Sequence, residues 1–139
     1  MLDIHFEDVY DLSLNETDLT NWISNVCSSE NNEFGDISLI FCSDEYLLEM
    51  NRTHLDHDYY TDIITFDYTE NQIVSGDLFI SVDRVRENAS DFNVSFEHEL
   101  HRVMIHGVLH LCGYKDKSDE EEKLMRSKEN DALSLISFT

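Results

Sequence analysis

The sequence predicts a single α+β domain over residues 1–139: a mixed sheet of about four strands covered by helices, with one helix running through its centre. Three observations carry this reading. A chain of 139 residues suits one core and can bury roughly two-thirds of its unfolded surface. Apolar spacing switches between the strand period and the helical period in the order strand, helix, strand, helix, two strands, helices. One helix, following Ser95, carries Leu100, Met104, Val108, Leu109 and Leu111 widely round its circumference, as a helix enclosed on several sides does.

The elements follow in order. Leu2 to Glu7 alternates apolar and polar residues, with Leu2, Ile4 and Phe6 on one face of a half-buried strand. Asn15 leads into the stripe Leu19, Trp22, Ile23 and Val26, an amphipathic helix ending near Cys27. Ser28 to Gly35 is polar and reads as a turn, and Asp36 to Cys42 is a more continuously apolar, more central strand. Ser43 or Asp44 caps a helix through Leu47, Leu48 and Met50, which frays into a loop from His54 to Tyr60. Asp62 to Tyr68, rich in β-branched and aromatic residues, and Gly76 to Ser81 are strands. Ser81 caps a short helix over Val82 to Phe92, and Ser95 caps the central one. Ser118 and Glu121 form a capping box that opens a last helix through Leu124, Met125, Ala132 and Leu133.

The central helix carries the chemistry. His106 and His110 are one turn apart on one face, so both imidazoles can reach a single ion at about 2.0–2.1 Å. Gly113 ends the helix with a left-handed turn, after which Asp116 can swing back under the pair. The pattern H-x3-H-x5-D offers two nitrogens and one carboxylate oxygen to one Zn2+ per chain and leaves a fourth tetrahedral position open. An open position suits catalysis. The bare histidine pair also occurs by chance, and the glycine turn with its following carboxylate is what weighs against that reading. Zinc peptidases read H-E-x-x-H, with the glutamate as base; here that position is Gly107, which speaks against peptide hydrolysis. His98 and His101 lie off the ligand face, and His54 and His57 are read as surface or cleft histidines.

Together with HGVLHLCGYKD (His106 to Asp116), the blocks TDIITF (Thr61 to Phe66) and GDLFIS (Gly76 to Ser81), and Met125 with Glu129, resemble the YbeY family. These are bacterial single-strand-specific metallo-endoribonucleases that mature ribosomal RNA. The likeness runs from about Asn51 to Glu129. It implies that the Thr-Asp and Gly-Asp blocks line a cleft near the metal, with Asp62 and Asp77 as catalytic candidates and Thr61 as a substrate contact. Without the family, both aspartates read equally well as turn residues at strand starts. Three positions depart from the family pattern. Asp116 stands where most members have a histidine ligand, Leu55 aligns with an arginine associated with catalysis, and Tyr60 aligns with a proline.

The net charge of −21 is unfavourable for a protein that meets phosphates. All nine Lys and Arg residues lie at or after Arg52, so the first part of the chain is purely acidic. Arg52, Arg102 and Lys115 are the substrate-binding candidates, with Arg84, Arg86 and Lys117 also available around the proposed site. Cys27, Cys42 and Cys112 suggest neither a disulfide framework nor a cysteine metal site, the acidic N-terminus has no leader character, and no apolar run could span a membrane. A cytoplasmic protein without a membrane partner is expected.

The resulting expectation is a zinc-dependent endoribonuclease acting on single-stranded ribosomal RNA, including the 3′ end of the small-subunit RNA. Two readings compete with it. One is a zinc hydrolase of another substrate. The other is a ribosome-assembly factor with a mainly structural metal, acting through a small-subunit ribosomal protein or an Era-type GTPase.

Overall fold

The computed structural model describes residues 1–136. The elements run β1 (Leu2–Phe6), α1 (Glu16–Ser29), β2 (Glu33–Cys42), α2 (Asp44–His54), β3 (Ile63–Asp67), β4 (Ile73–Ser81), α3 (Val82–Asp91), α4 (Phe96–Leu111) and α5 (Asp119–Leu133). They form the expected α+β domain around one four-stranded mixed sheet in the order β1-β2-β4-β3. The first three strands of that order are parallel, and β3 is antiparallel to β4.

Register decides what each face carries. Leu2 pairs with Ile37 and Ile37 with Gly76; Ile4, Leu39 and Leu78 form a second row, and Phe6, Phe41 and Ile80 a third. These rows face the main core, where α1, α3, α4 and α5 contribute Trp22, Ile23, Val85, Met104, Val108 and Met125. Alternation sends Cys42, Ile64, Phe66 and Phe79 to the other face, where α2 covers them with Tyr46, Leu47 and Met50. Trp22 Nε1–H donates to the Ala132 carbonyl at 2.8 Å, tying α1 to the last turn of α5. Helix α4 packs against β3, β4, α1, α3 and α5, which is why its apolar residues show no single stripe.

Helix starts agree with the expected caps: the side chains of Asn15, Ser43, Ser81, Ser95 and Ser118 each accept a backbone N–H in the first turn. Two strands begin earlier than expected, β2 at Glu33 and β4 at Ile73. These extensions pair with each other, Glu33 with Ile73 and Phe34 with Val74, beyond a register shift before Ile37. A polar segment that reads locally as a turn is held extended by a neighbour far away in sequence. Helix α2 ends at His54, where the expected loop begins.

Gly107 explains how closely the central helix approaches the sheet. A Cβ added there would lie 2.7 Å from Ile63 Cδ1 and 2.9 Å from Leu78 Cδ1. Glycine inside a helix costs about 1 kcal/mol relative to alanine, and the close packing on β3 and β4 offsets that cost. Gly107→Leu should therefore overpack the interface and lower stability by about 1–3 kcal/mol. Urea denaturation should show a lower midpoint with an unchanged slope; an unaltered midpoint would mean the interface has slack.

Candidate metal centre

The last turn of α4 and the segment after it are built as one device. Gly113 adopts φ +105°, its N–H donates to the His110 carbonyl, and the Tyr114 N–H donates to Leu109 O, each at 3.0 Å. This closes the helix as a left-handed glycine cap does. The same reversal turns the Tyr114 carbonyl back toward the helix, where it accepts from His110 Nδ1 at 2.9 Å. It also returns Asp116 to the histidines. Asp116 Oδ2 lies 3.2 Å from His106 Nε2 and 3.3 Å from His110 Nε2, and the two Nε2 atoms are 3.0 Å apart.

That triangle fits a cation. His106 Nδ1 meets the Glu129 carboxylate at 2.6 Å, and His110 Nδ1 meets the Tyr114 carbonyl; both partners are acceptors, so each Nδ1 carries the proton. Each Nε2 then presents a lone pair toward its neighbour and toward Asp116, three electron-rich atoms with no proton between them. Ligands at tetrahedral angles about an ion at 2.0–2.1 Å are about 3.3 Å apart. Among the described residues this is the one group of three or more His, Cys, Asp or Glu side chains that could hold a metal ion.

Behind His106 lies a buried ionic network. Arg102 donates Nε and Nη2 to the two oxygens of Glu99 at 2.8 and 2.5 Å, and Nη1 to Glu129 Oε1 at 3.2 Å. Glu129 uses its other oxygen for His106, so a single carboxylate from α5 connects the guanidinium to the imidazole. Glu99 and Glu129 are 1% and 2% exposed. Burial opposes the charge on Glu129, but the His106 hydrogen bond and the Arg102 and Arg126 guanidinium groups outweigh it and hold its carboxyl below the usual range. Asp62 Oδ2 lies 3.8 Å from Arg102 Nη2, and there burial wins over that attraction and raises the carboxyl.

The site opens into a cleft of about 740 Å³ lined by Thr61, Asp62, His106, His110, Lys115 and Lys117, among others. A smaller pocket of about 480 Å³ on the α5 side shares His106 and Asp116 with it. Two of the sequence-derived candidates lie outside the cleft lining. Asp77 pairs with Phe66 and alternates with Gly76 and Leu78, the residues that meet Leu111 and Gly107 of α4. It therefore points to the opposite face of the sheet and is not part of the cleft lining. Arg52 pairs with Asp58 at 2.6 Å and Glu49 at 3.9 Å outside the cleft lining. Arg102 lines the pocket but has its donors engaged by carboxylates. His101 is buried beside Trp22 with Nδ1 on the Glu97 carbonyl, away from the triangle.

Glu129, Glu99 and the Tyr114 carbonyl were not identified as site groups from sequence. For Glu129 a signal existed: it falls on the buried stripe Met125, Glu129, Ala132 of α5, an acid where an apolar residue is expected.

The comparisons with known proteins agree over the whole chain. A family profile described as "Endoribonuclease YbeY" matches residues 4–137. A protein of that name from Flavobacterium psychrophilum is 55% identical over 136 residues, covering 98% of this chain and 96% of the relative. Another from Phocaeicola vulgatus is 50% identical over 138 residues, covering 99% and 100%. A solution structure of a protein from Thermotoga maritima superposes with a TM-score of 0.69 at 29% identity, covering 96% of this chain and 87% of the other.

Two measurements check the centre. Glu129→Ala should weaken Co2+ or Zn2+ binding about 10- to 100-fold, because His106 loses the acceptor that fixes its tautomer. Competition against a chromophoric chelator reads this directly, and equal affinity would make Glu129 a purely structural residue. His110→Ala should leave the chain without a stoichiometric metal, as only two ligands remain; full occupancy by elemental analysis would remove the triangle as the binding site.

Proposed function

The chain belongs to the YbeY endoribonuclease family, and from that premise we propose that it is a single-strand-specific, zinc-dependent endoribonuclease acting on ribosomal RNA, including the 3′ end of the small-subunit RNA. The observation that carries the metal-dependent reading is the triangle of His106 Nε2, His110 Nε2 and Asp116 Oδ2, with sides of 3.0–3.3 Å, at the floor of an open cleft. When bound, the ion supplies Lewis-acid polarisation and charge neutralisation at the phosphodiester.

The chain's own residues have separable roles in this proposal. His106 and His110 hold their Nδ1 protons toward Glu129 and Tyr114, which keeps both Nε2 atoms available as ligands. Asp62 faces the cleft, and burial raises its carboxyl above the usual carboxylate range, which suits a group that takes and returns a proton. Thr61 and Lys115 are the substrate contacts on the cleft wall, and Arg102 acts through Glu129 to position His106. A peptidase reading is disfavoured, because the space beside the first histidine where a peptidase carries its glutamate is filled by Ile63 and Leu78.

No helix among the described residues is long and apolar enough to cross a membrane. The net charge of −21 supports action alongside a basic partner in the cytoplasm, a small-subunit ribosomal protein or an Era-type GTPase on the assembling subunit.

Leu55 caps α2 and lines the cleft, 41% exposed. It supplies no charge to a phosphate, and a missing donor of that kind costs about 10²–10³ in rate. Single-turnover cleavage of an unstructured RNA should be measurable for the wild type, faster for Leu55→Arg, and lost in His106→Ala, with metal content determined for each. Equal cleavage by His106→Ala would assign the activity to a contaminant and end the enzymatic reading.

A further inference from the structure

The loop between α2 and β3 carries a feature that the metal chemistry does not use. His57 and Tyr59 stack on each other, ring centroids 5.1 Å apart at an interplanar angle of 21°. Both line the same cleft as His106 and His110, and Tyr59 is 56% exposed.

The loop that holds this stack is built from within. Asn51, 2% exposed, donates its side-chain N–H to the Tyr59 carbonyl at 2.9 Å. Its own carbonyl accepts the His57 N–H at 2.9 Å and the Leu55 N–H at 3.2 Å. Asp56, at φ +54°, makes the reversal that brings His57 back to that carbonyl. Arg52 Nε holds Asp58, the residue between the two rings, at 2.6 Å. Asn51 thus holds the loop on both sides of the stack, through its buried side-chain amide at Tyr59 and its backbone carbonyl at His57, and keeps the rings in place before any ligand arrives.

Resting on the endoribonuclease reading, we propose that the His57–Tyr59 stack is a binding platform for an unpaired nucleobase. A strand whose phosphate lies over His106, His110 and Asp116 would place a neighbouring base on these rings. The chemistry selects the occupant. A flat aromatic face binds a flat π system, and a base offers one only when it is free of its own duplex stack, so the platform discriminates for single strands. Charge points the same way. Lys115 and Lys117 form no ion pair among the described residues and line the cleft, but two phosphate contacts give a single-strand salt slope of only about −1.4. In a chain of net charge −21, affinity must come largely from contacts other than ion pairing.

The test uses the full chain with chelator present, so that binding is read without cleavage. The probes are a short unstructured RNA with a fluorescent label and the same strand made abasic. Tyr59→Ala should bind the base-bearing strand about 10- to 100-fold more weakly and the abasic strand unchanged. Tyr59→Phe should stay within about threefold of wild type, and Tyr10→Ala, at a fully exposed tyrosine outside the cleft, should not differ. His57→Ala provides a second arm, expected to lose the same preference for bases. If both alanine variants keep the wild-type ratio between the two strands, or weaken both strands equally, the stack is only loop packing and the proposal is overturned. A wild-type protein that neither binds the base-bearing strand nor cuts it when metal-loaded overturns the endoribonuclease reading itself, whereas cleavage with unaffected alanine variants overturns the platform alone.

Discussion

The hydrogen bond between His106 Nδ1 and Glu129, at 2.6 Å in a buried setting, is the contact through which fold and site constrain each other. It requires α5 to lie across α4, and α5 is held there by Met125 in the core and by the Trp22 bond to Ala132. It also requires a counter-charge, because an ionised carboxylate with so little exposure is costly unless paired. Arg102 provides that charge while binding Glu99 with two donors. Removing the guanidinium would leave two buried carboxylates facing each other, a loss of about 3–5 kcal/mol by the usual behaviour of broken buried pairs. The network is therefore weak as a source of stability and strong as a device for orientation.

The sheet side of α4 is set by a different constraint, steric rather than electrostatic. Gly107 lets the helix come close enough for Ile63 and Leu78 to fill the position where a zinc peptidase would carry its base. One residue thus shapes the core and removes a competing chemistry. Gly76 works similarly on the strand beneath, where a Cβ would lie 2.5 Å from the Phe66 carbonyl and 2.7 Å from Leu111. Together the two glycines bring the helix, β3 and β4 into register with the cleft that opens at their ends.

Electrostatics around the cleft are more restrained than the list of basic residues suggests. Arg52 is bound to Asp58, Arg84 to Asp44 and Glu87, and Arg102 to its two glutamates, while Arg86 lies over the Phe96 ring. Lys115 and Lys117 remain on the cleft wall. On the proposed reading, a chain this acidic whose arginines pair with its own carboxylates recognises RNA locally, through the cleft and its three candidate ligands, rather than through a general positive field.

What the sequence determined by itself was local. Helical spacing aligns His106 with His110, glycine after the helix allows the left-handed cap, and serine or asparagine before each helix satisfies its first turn; these depend on neighbours within a few residues. The α+β order and the approach of Asp116 to the two histidines were legible for that reason, and so was the family. What only the tertiary structure decided was which distant groups meet. Asp77 and Asp62 look alike in sequence, yet sheet alternation turns one away from α4 while the other faces the cleft. Nothing in the local sequence around Arg52 and Arg102 records that Asp58, Glu99 and Glu129 lie against them. Glu129 itself lies 23 positions from His106, and no local pattern records that the two touch. Periodicity and capping are written in short-range chemistry, whereas the partner of a buried charge is chosen by packing between elements.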